Sequence, residues 1–334
     1  MRIMVVYPGA GHSTYDVATG IHKALEKTDN EIGFFPYHHY IKFYQNALEK
    51  NPSADAASVC MWAGTRVAIN IVEFVPDVVL IIAGGSLHRR AYELINRLSI
   101  PIVLLLTESP YIDATQAIIM QCAKVKAALT NERLSAPRLQ TDTGIKTVYL
   151  PHSIDPDKHY PHAKNLGRSR EVFFHGTLWP EREELFDGLD HAHITGYRVD
   201  GTPYNTSGTG IIENAELAKW YSNAKIALNH HRTNCEYDEL PPADSLGPRA
   251  YEISACGAFQ LCDNTRSELR EVFGDSVATY VNRVDLEDQI KYYLKRDATR
   301  QEMAREALQR VQGCTFDRRV NNILLPLLTE VRDG

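Results

Sequence analysis

Two apolar runs constrain this fold more than any other feature: Val78 to Ala83, bounded by Pro76 and Gly84-Gly85, and Ile100 to Leu106, which includes Pro101. Neither run alternates with polar residues, so each predicts a strand covered on both faces, as in a parallel sheet. Parallel neighbours need crossover segments between them. Patterns of helical period supply these around 38–50 and 55–73, and Ile3 to Tyr7 reads as a first strand before a helix from about Tyr15 to Lys27. Further strands are expected at Val125–Leu129 and Val148–Leu150. A second series follows: Val172 to His175, a strand ending at Gly196-Tyr197, Lys225 to Asn229, and 277–281, with helices near 265–273, 284–295 and 297–312. At 334 residues the chain is long for one core and comfortable for two. The expectation is α/β, two doubly wound Rossmann-like sheets.

The stretch from Asp244 to Asp263 is the most informative for chemistry. It opens on an acidic residue and a Gly-Pro loop, continues through a short helix carrying Glu252, breaks at Gly257 and enters the apolar run Ala258 to Cys262. Loop, helix and strand in that order make one step of a parallel sheet, with a helix start at the sheet's edge. A helix start has unpaired N–H groups and the positive end of a dipole, so amides around Leu246, Gly247 and Arg249 are candidates to receive a diphosphate. Glu252, one turn in, is placed to accept from a ribose, and Asp244 to hold hydroxyls of whatever the diphosphate carries. A solvated Glu balancing the helix dipole is the plainer alternative.

This pattern, Asp244 and Glu252 separated by seven residues, with Gly247 between them and Ala255-Cys256-Gly257 after, resembles the signature of retaining glycosyltransferases of family 4, which have the GT-B fold. Asp244 stands where that family has Glu. The run from about Val172 to Phe316 is similar to the CgeB-like (spore-maturation-protein-B-like) glycosyltransferases, many of them bacteriophage-encoded. The resemblance implies two domains facing a cleft: residues 1–155 for the acceptor, 156–316 for the nucleotide sugar, and 317–334 as a helix crossing back to the first domain. It also implies a nucleotide-diphosphate sugar donor, a UDP-sugar foremost, with retention at the anomeric carbon and no catalytic metal. A modified phage DNA base or a virion protein are the acceptors it suggests.

Other residues gain roles from the same resemblance. Val172 to His175 followed by Gly176, Thr177 and a helix through Phe186 reads as a strand–glycine–helix unit whose loop approaches the donor's phosphates, with Arg182 reaching them as a forked cation. The alternative for Arg182 is a pair with Glu183 or Glu184. Glu108, just past the Ile102–Leu106 strand, is the first-half candidate for the acceptor, against a capping role. His12 and Asp16, after the Gly9-x-Gly11 turn, are candidates too, against helix capping by Ser13 or Thr14. Val148 to Leu150 closes the first sheet, and Pro151 to Asp155 reads as a linker.

Composition narrows the field further. The net charge of −6 lies wholly after Asp155, where 22 Lys and Arg meet 28 Asp and Glu, so there is no basic tail and no charge signature of general nucleic-acid binding. Six scattered Cys with no C-x-x-C pair suggest reduced thiols, and no apolar run approaches a membrane span, so a cytoplasmic protein is expected. His230-His231 invite a metal, yet no Cys or carboxylate falls at ligand spacing, which favours a substrate-contact or structural role. Two other classes stay open: a sugar-nucleotide epimerase or hydrolase of the same fold, and a non-catalytic binding or assembly protein.

Overall fold

The computed structural model describes residues 1–7, 12–49, 55–85, 87–165, 169–205, 212, 216–235 and 239–334. The chain divides into two compact units: Met1–Pro151 with Pro241–Ala243 and Phe316–Gly334, and His152–Leu240 with Asp244–Thr315.

In chain order the first unit comprises β1 (Arg2–Val6), α1 (His12–Glu26), β2 (Glu31–Phe35), α2 (Tyr37–Leu48), α3 (Ala56–Phe74), β3 (Val78–Ile82), α4 (Arg89–Arg97), β4 (Ile102–Leu106), α5 (Asp113–Cys122), β5 (Ala127–Thr130), α6 (Ser135–Thr143) and β6 (Lys146–Tyr149). Its sheet runs β2-β1-β3-β4-β5-β6, every pairing parallel. Because strand side chains alternate, one face sends Met4, Val6, Val79, Ile81, Ile102 and Leu104 under α2 to α5, while the other sends Ile3, Val5, Leu80, Val103 and Leu105 under α1. That second face is completed by the last segment, α13 (Phe316–Arg319), a π-helical turn (Val320–Leu324) and α14 (Leu325–Asp333). Val320, Leu324, Leu327 and Leu328 are all buried there. The expected helix over 317–334 is thus interrupted by the wider turn just ahead of Pro326, whose ring nitrogen has no hydrogen to donate.

The second unit contains β7 (Arg170–Leu178), α7 (Pro180–Phe186), β8 (Ala192–Arg198), β9 (Pro203–Asn205), α8 (Leu217–Asn223), β10 (Ala224–Asn229), α9 (Pro248–Ala255), β11 (Gln260–Asp263), α10 (Glu268–Phe273), β12 (Ala278–Tyr280), α11 (Arg283–Leu294) and α12 (Asp297–Val311). Its order is β12-β11-β10-β7-β8-β9, parallel except for β9 at the edge. Val172, Phe174, Ile226 and Leu228 pack one face, Phe173 and Ala227 the other. Both sheets are therefore Rossmann-like and doubly wound.

Candidate functional site

In the second sheet the chain winds outward from β7 in two directions, to β8 and to β10. The crevice beyond the carboxyl ends of two such strands is where open parallel sheets bind ligands. Arg182 from α7 lies across it. Its Nη1 donates to the Thr177 carbonyl at 2.8 Å and its Nη2 to the His230 carbonyl at 2.5 Å, so one guanidinium joins the end of β7 to the residue after β10. Glu183, an alternative partner, instead receives Arg198 at 2.9 Å.

Gly176 and Thr177 are not in a loop. They lie inside β7, opposite Gly196 and Tyr197 of β8, which corrects the expected strand–glycine–helix turn. Gly196 has φ of +143°, and a Cβ there would collide with the Gly176 carbonyl. The two glycines record a close approach of neighbouring strands, a use of glycine in strands that mimics a turn signal in sequence.

The loop leading into α9 also differs from expectation. The Asp244 carboxylate accepts from the Ser267 backbone N–H at 2.8 Å and from its hydroxyl, so it caps the start of α10. In return Glu268 Oε2 accepts the Leu246 N–H at 2.6 Å. These reciprocal bonds fix the loop, and they correct two assignments: the Leu246 amide is already taken, and Asp244 acts on a helix start. Pro248 brings no N–H, and Ala250 N–H goes back to the Gly247 carbonyl at 3.2 Å. The Gly247 side of the helix start stays open. A Cβ added at Gly247 would meet only His231 Cδ2, at 3.8 Å, and its φ of −71° suits any residue.

Arg249 turns toward Glu252, one helical turn on, at 2.6 Å. The Glu252 side chain is only 14% exposed. Burial alone would raise its pKa, but the Arg249 guanidinium above all holds it below the ordinary carboxylate value, so it is ionised at neutral pH. The same group of residues is lined by histidines held neutral. Burial pushes His152 down to about 4, and His175, whose Nδ1 is 2.9 Å from Thr195 Oγ1, to about 3, with Arg249 adding to the effect. Tyr221 is pushed up to about 12 by burial. An ionised acid and a cation thus sit among neutral side chains.

The end of β11 and the segment after β10 form a second buried pair. Parallel register sets Asn229 opposite Cys262, which brings His231 to Asp263. Asp263 Oδ2 accepts both the backbone N–H of His231, at 2.6 Å, and its Nδ1, at 2.8 Å. Both side chains are 4% exposed. Burial would raise Asp263, yet His231 and its other partners hold it far below the usual carboxylate range. His231 Nε2 is buried with no hydrogen-bond partner, which costs on the order of 1 to 3 kcal/mol unless something else meets it. Cys262 Sγ lies 3.9 Å from Nδ1. His231, Cys262 and Asp263 therefore hold one ligand atom each within 4.8 Å, although neither Cys262 nor Asp263 falls at ligand spacing from the His pair in sequence. Burial keeps the Cys262 thiol protonated, and the observed contacts are those of a hydrogen-bonded His–Asp pair beside it. His230 Nδ1 lies 2.9 Å from the Tyr280 hydroxyl and 3.9 Å from the same Asp263 Oδ2.

In the first unit, Glu108 follows β4 and its carbonyl caps the Tyr111 N–H at 2.9 Å. Below it Asp113 anchors a buried network, receiving Ser135, Arg138 at 2.6 Å and Gln116 at 3.0 Å. Asp16 is half-buried in α1. His12 opens α1, but its side chain lies outside the described residues. Within this unit none of the interactions described brings Glu108 and Asp16 together.

A family model described as "Glycosyl transferase-like" matches residues 165–325. The spore protein CgeB of Bacillus subtilis (strain 168) is 24% identical over 275 residues, covering 75% of this chain and 82% of that one. Among solved structures, sucrose-phosphate synthase from Thermosynechococcus elongatus superposes with a TM-score of 0.65 at 10% identity, over 98% of this chain and 99% of its own. A DNA-modifying β-glucosyltransferase, solved with and without uridine diphosphoglucose, gives 0.61 at 14% identity over the full length of both chains. Among the described residues, no helix is long and apolar enough to cross a membrane.

Proposed function

The chain is a CgeB-like glycosyltransferase of GT-B fold, and from that premise we propose that it takes a sugar from a UDP-sugar and transfers it with retention, without a catalytic metal. Glu252 carries the reading: a buried, ionised carboxylate one turn into α9, paired with Arg249 through one oxygen. A ribose hydroxyl is the natural donor to the other. The diphosphate sits at the open Gly247 start of α9, between that helix and Arg182, where a fixed dipole and a permanent cation supply the positive charge.

The C1–O bond to the diphosphate breaks and its electron pair leaves on the phosphate oxygen. The acceptor oxygen bonds to C1, and its proton passes to the departing phosphate. Groups already aimed at the developing charge lower the barrier, typically by about 3 kcal/mol for each donor. Gly176 and Thr177 contribute through the end of β7 that Arg182 grips. Residues 1–155 are the acceptor side in this reading, with Glu108, His12 and Asp16 beyond the carboxyl ends of β4 and β1. The DNA-modifying neighbour makes a DNA base the first acceptor to try, and a virion protein the second.

Calorimetry with a panel of nucleotide sugars tests the donor. A UDP-sugar is expected to bind, and Glu252→Ala to weaken it about tenfold, equivalent to roughly 1.4 kcal/mol. Unchanged affinity in Glu252→Ala would remove the ribose contact. An inverted product in the NMR spectrum, or turnover abolished by chelator, would overturn retention or metal independence.

A further inference from the structure

Several features lie outside the donor assignment. A cavity of about 570 Å³ opens at the amino end of the second sheet, lined by Lys164, Lys225, Arg300 and Arg305, but Lys164 donates to the Ser222 carbonyl, Lys225 pairs with Glu171 and Arg300 with Asp297. The Asp113 network in the first unit is internally bonded. The buried His231 remains, with one ring nitrogen satisfied and the other unmet.

We propose that His231, held by Asp263, is a direct contact to the donor's diphosphate, with Nδ1 on the Asp263 carboxylate and the Nε2 side on a phosphate oxygen. This rests on the donor reading above and adds a residue to it. The geometry supports it in three ways. Asp263 Oδ2 takes both the backbone N–H and Nδ1 of His231, so the ring cannot turn without losing a bond to a buried carboxylate. The Cδ2 edge, next to Nε2, is what faces the open side of Gly247 at the start of α9, where an anion is favoured. The Nε2 atom itself is buried and unmet by protein, which is the state of a group waiting for a ligand.

With Nδ1 on the Asp263 carboxylate, the Nε2 side is the one left to meet a phosphate oxygen. Among the described residues, Cys262 Sγ lies 3.9 Å from His231 Nδ1, and His230 Nδ1 lies 2.9 Å from the Tyr280 hydroxyl and 3.9 Å from Asp263 Oδ2. Neither contact reaches Nε2.

UDP and uridine are the probes, each titrated calorimetrically at one pH. In His231→Ala UDP affinity should fall about tenfold or more, and in His231→Gln, which keeps a side-chain donor, severalfold, with uridine binding unchanged in both variants. UDP affinity unchanged in either variant, or uridine affinity falling by the same factor as UDP affinity, would overturn this inference alone. Wild-type protein that binds no UDP would overturn the donor reading and this inference together. His231→Gln gives the readout where His231→Ala does not fold.

Discussion

The two sheets solve the same packing problem with different residues. In the first unit the central strands β3 and β4 read VVLII and IVLLL, and every position is buried. In the second, the strands also bury polar groups: His175 in β7, Thr195 and His193 in β8, Asn229 in β10, Gln260 and Asp263 in β11. Aliphatic strands need only close packing, whereas buried polar ones need partners, and these have them: His175 on Thr195, Asn229 on Gln260, His193 beside Arg170. The contrast shows an aliphatic scaffold set apart from a polar interior, of which Asn229 and Asp263 end β10 and β11 on the side where the candidate site lies.

The largest effect should come from the aliphatic sheet. Leu104→Ala removes a fully buried side chain from β4 and should destabilise the first unit by about 2 to 5 kcal/mol, read by denaturant unfolding, with UDP affinity of the folded protein unchanged. A loss well under 1 kcal/mol would mean this core is looser than its burial indicates.

Acid should act on the other sheet. His175 is held at about 3, well below the ordinary histidine value near 6.5, so the folded state keeps it neutral while the unfolded chain takes up a proton. A depressed pKa of this kind contributes stability that is present above about pH 6.5 and drains away as pH falls toward the folded value. Between pH 6.5 and 4 that is on the order of 2 to 3 kcal/mol from this residue. Hydrogen exchange over the same range should show β7 and β8 losing protection ahead of β3 and β4, and the reverse order would break the comparison.

The smallest effect should come from the first unit's surface. Lys146 bonds Glu330 at 2.6 Å with both side chains about half exposed, so Lys146→Ala should shift stability by less than about 1 kcal/mol in thermal melts. A larger loss would show that this pair helps hold the last helix.

Much of this was legible in order of residues. Aliphatic runs announced β3 and β4, and the loop–helix–strand step from Asp244 to Asp263 is present, with Glu252 where its spacing placed it. What escaped depends on distance along the chain. Glu268 claims the Leu246 amide from 22 positions away, and Asp263 reaches His231 across 32, through a strand register that sequence does not display. The available signal was that two polar residues, His231 and Asp263, each follow an apolar strand run. Gly176 misled because a glycine allowing two strands to touch looks, in sequence, like one that turns the chain.

The second face of the first sheet is finished by residues that come after the whole of the second unit. A ribosome must therefore release all of β7 to α12 before Val320, Leu324, Leu327 and Leu328 emerge to cover α1 and its strands. The half begun first is completed last, and a message cut short after Thr315 would yield one finished body tethered to one with an oily flank bare to chaperones.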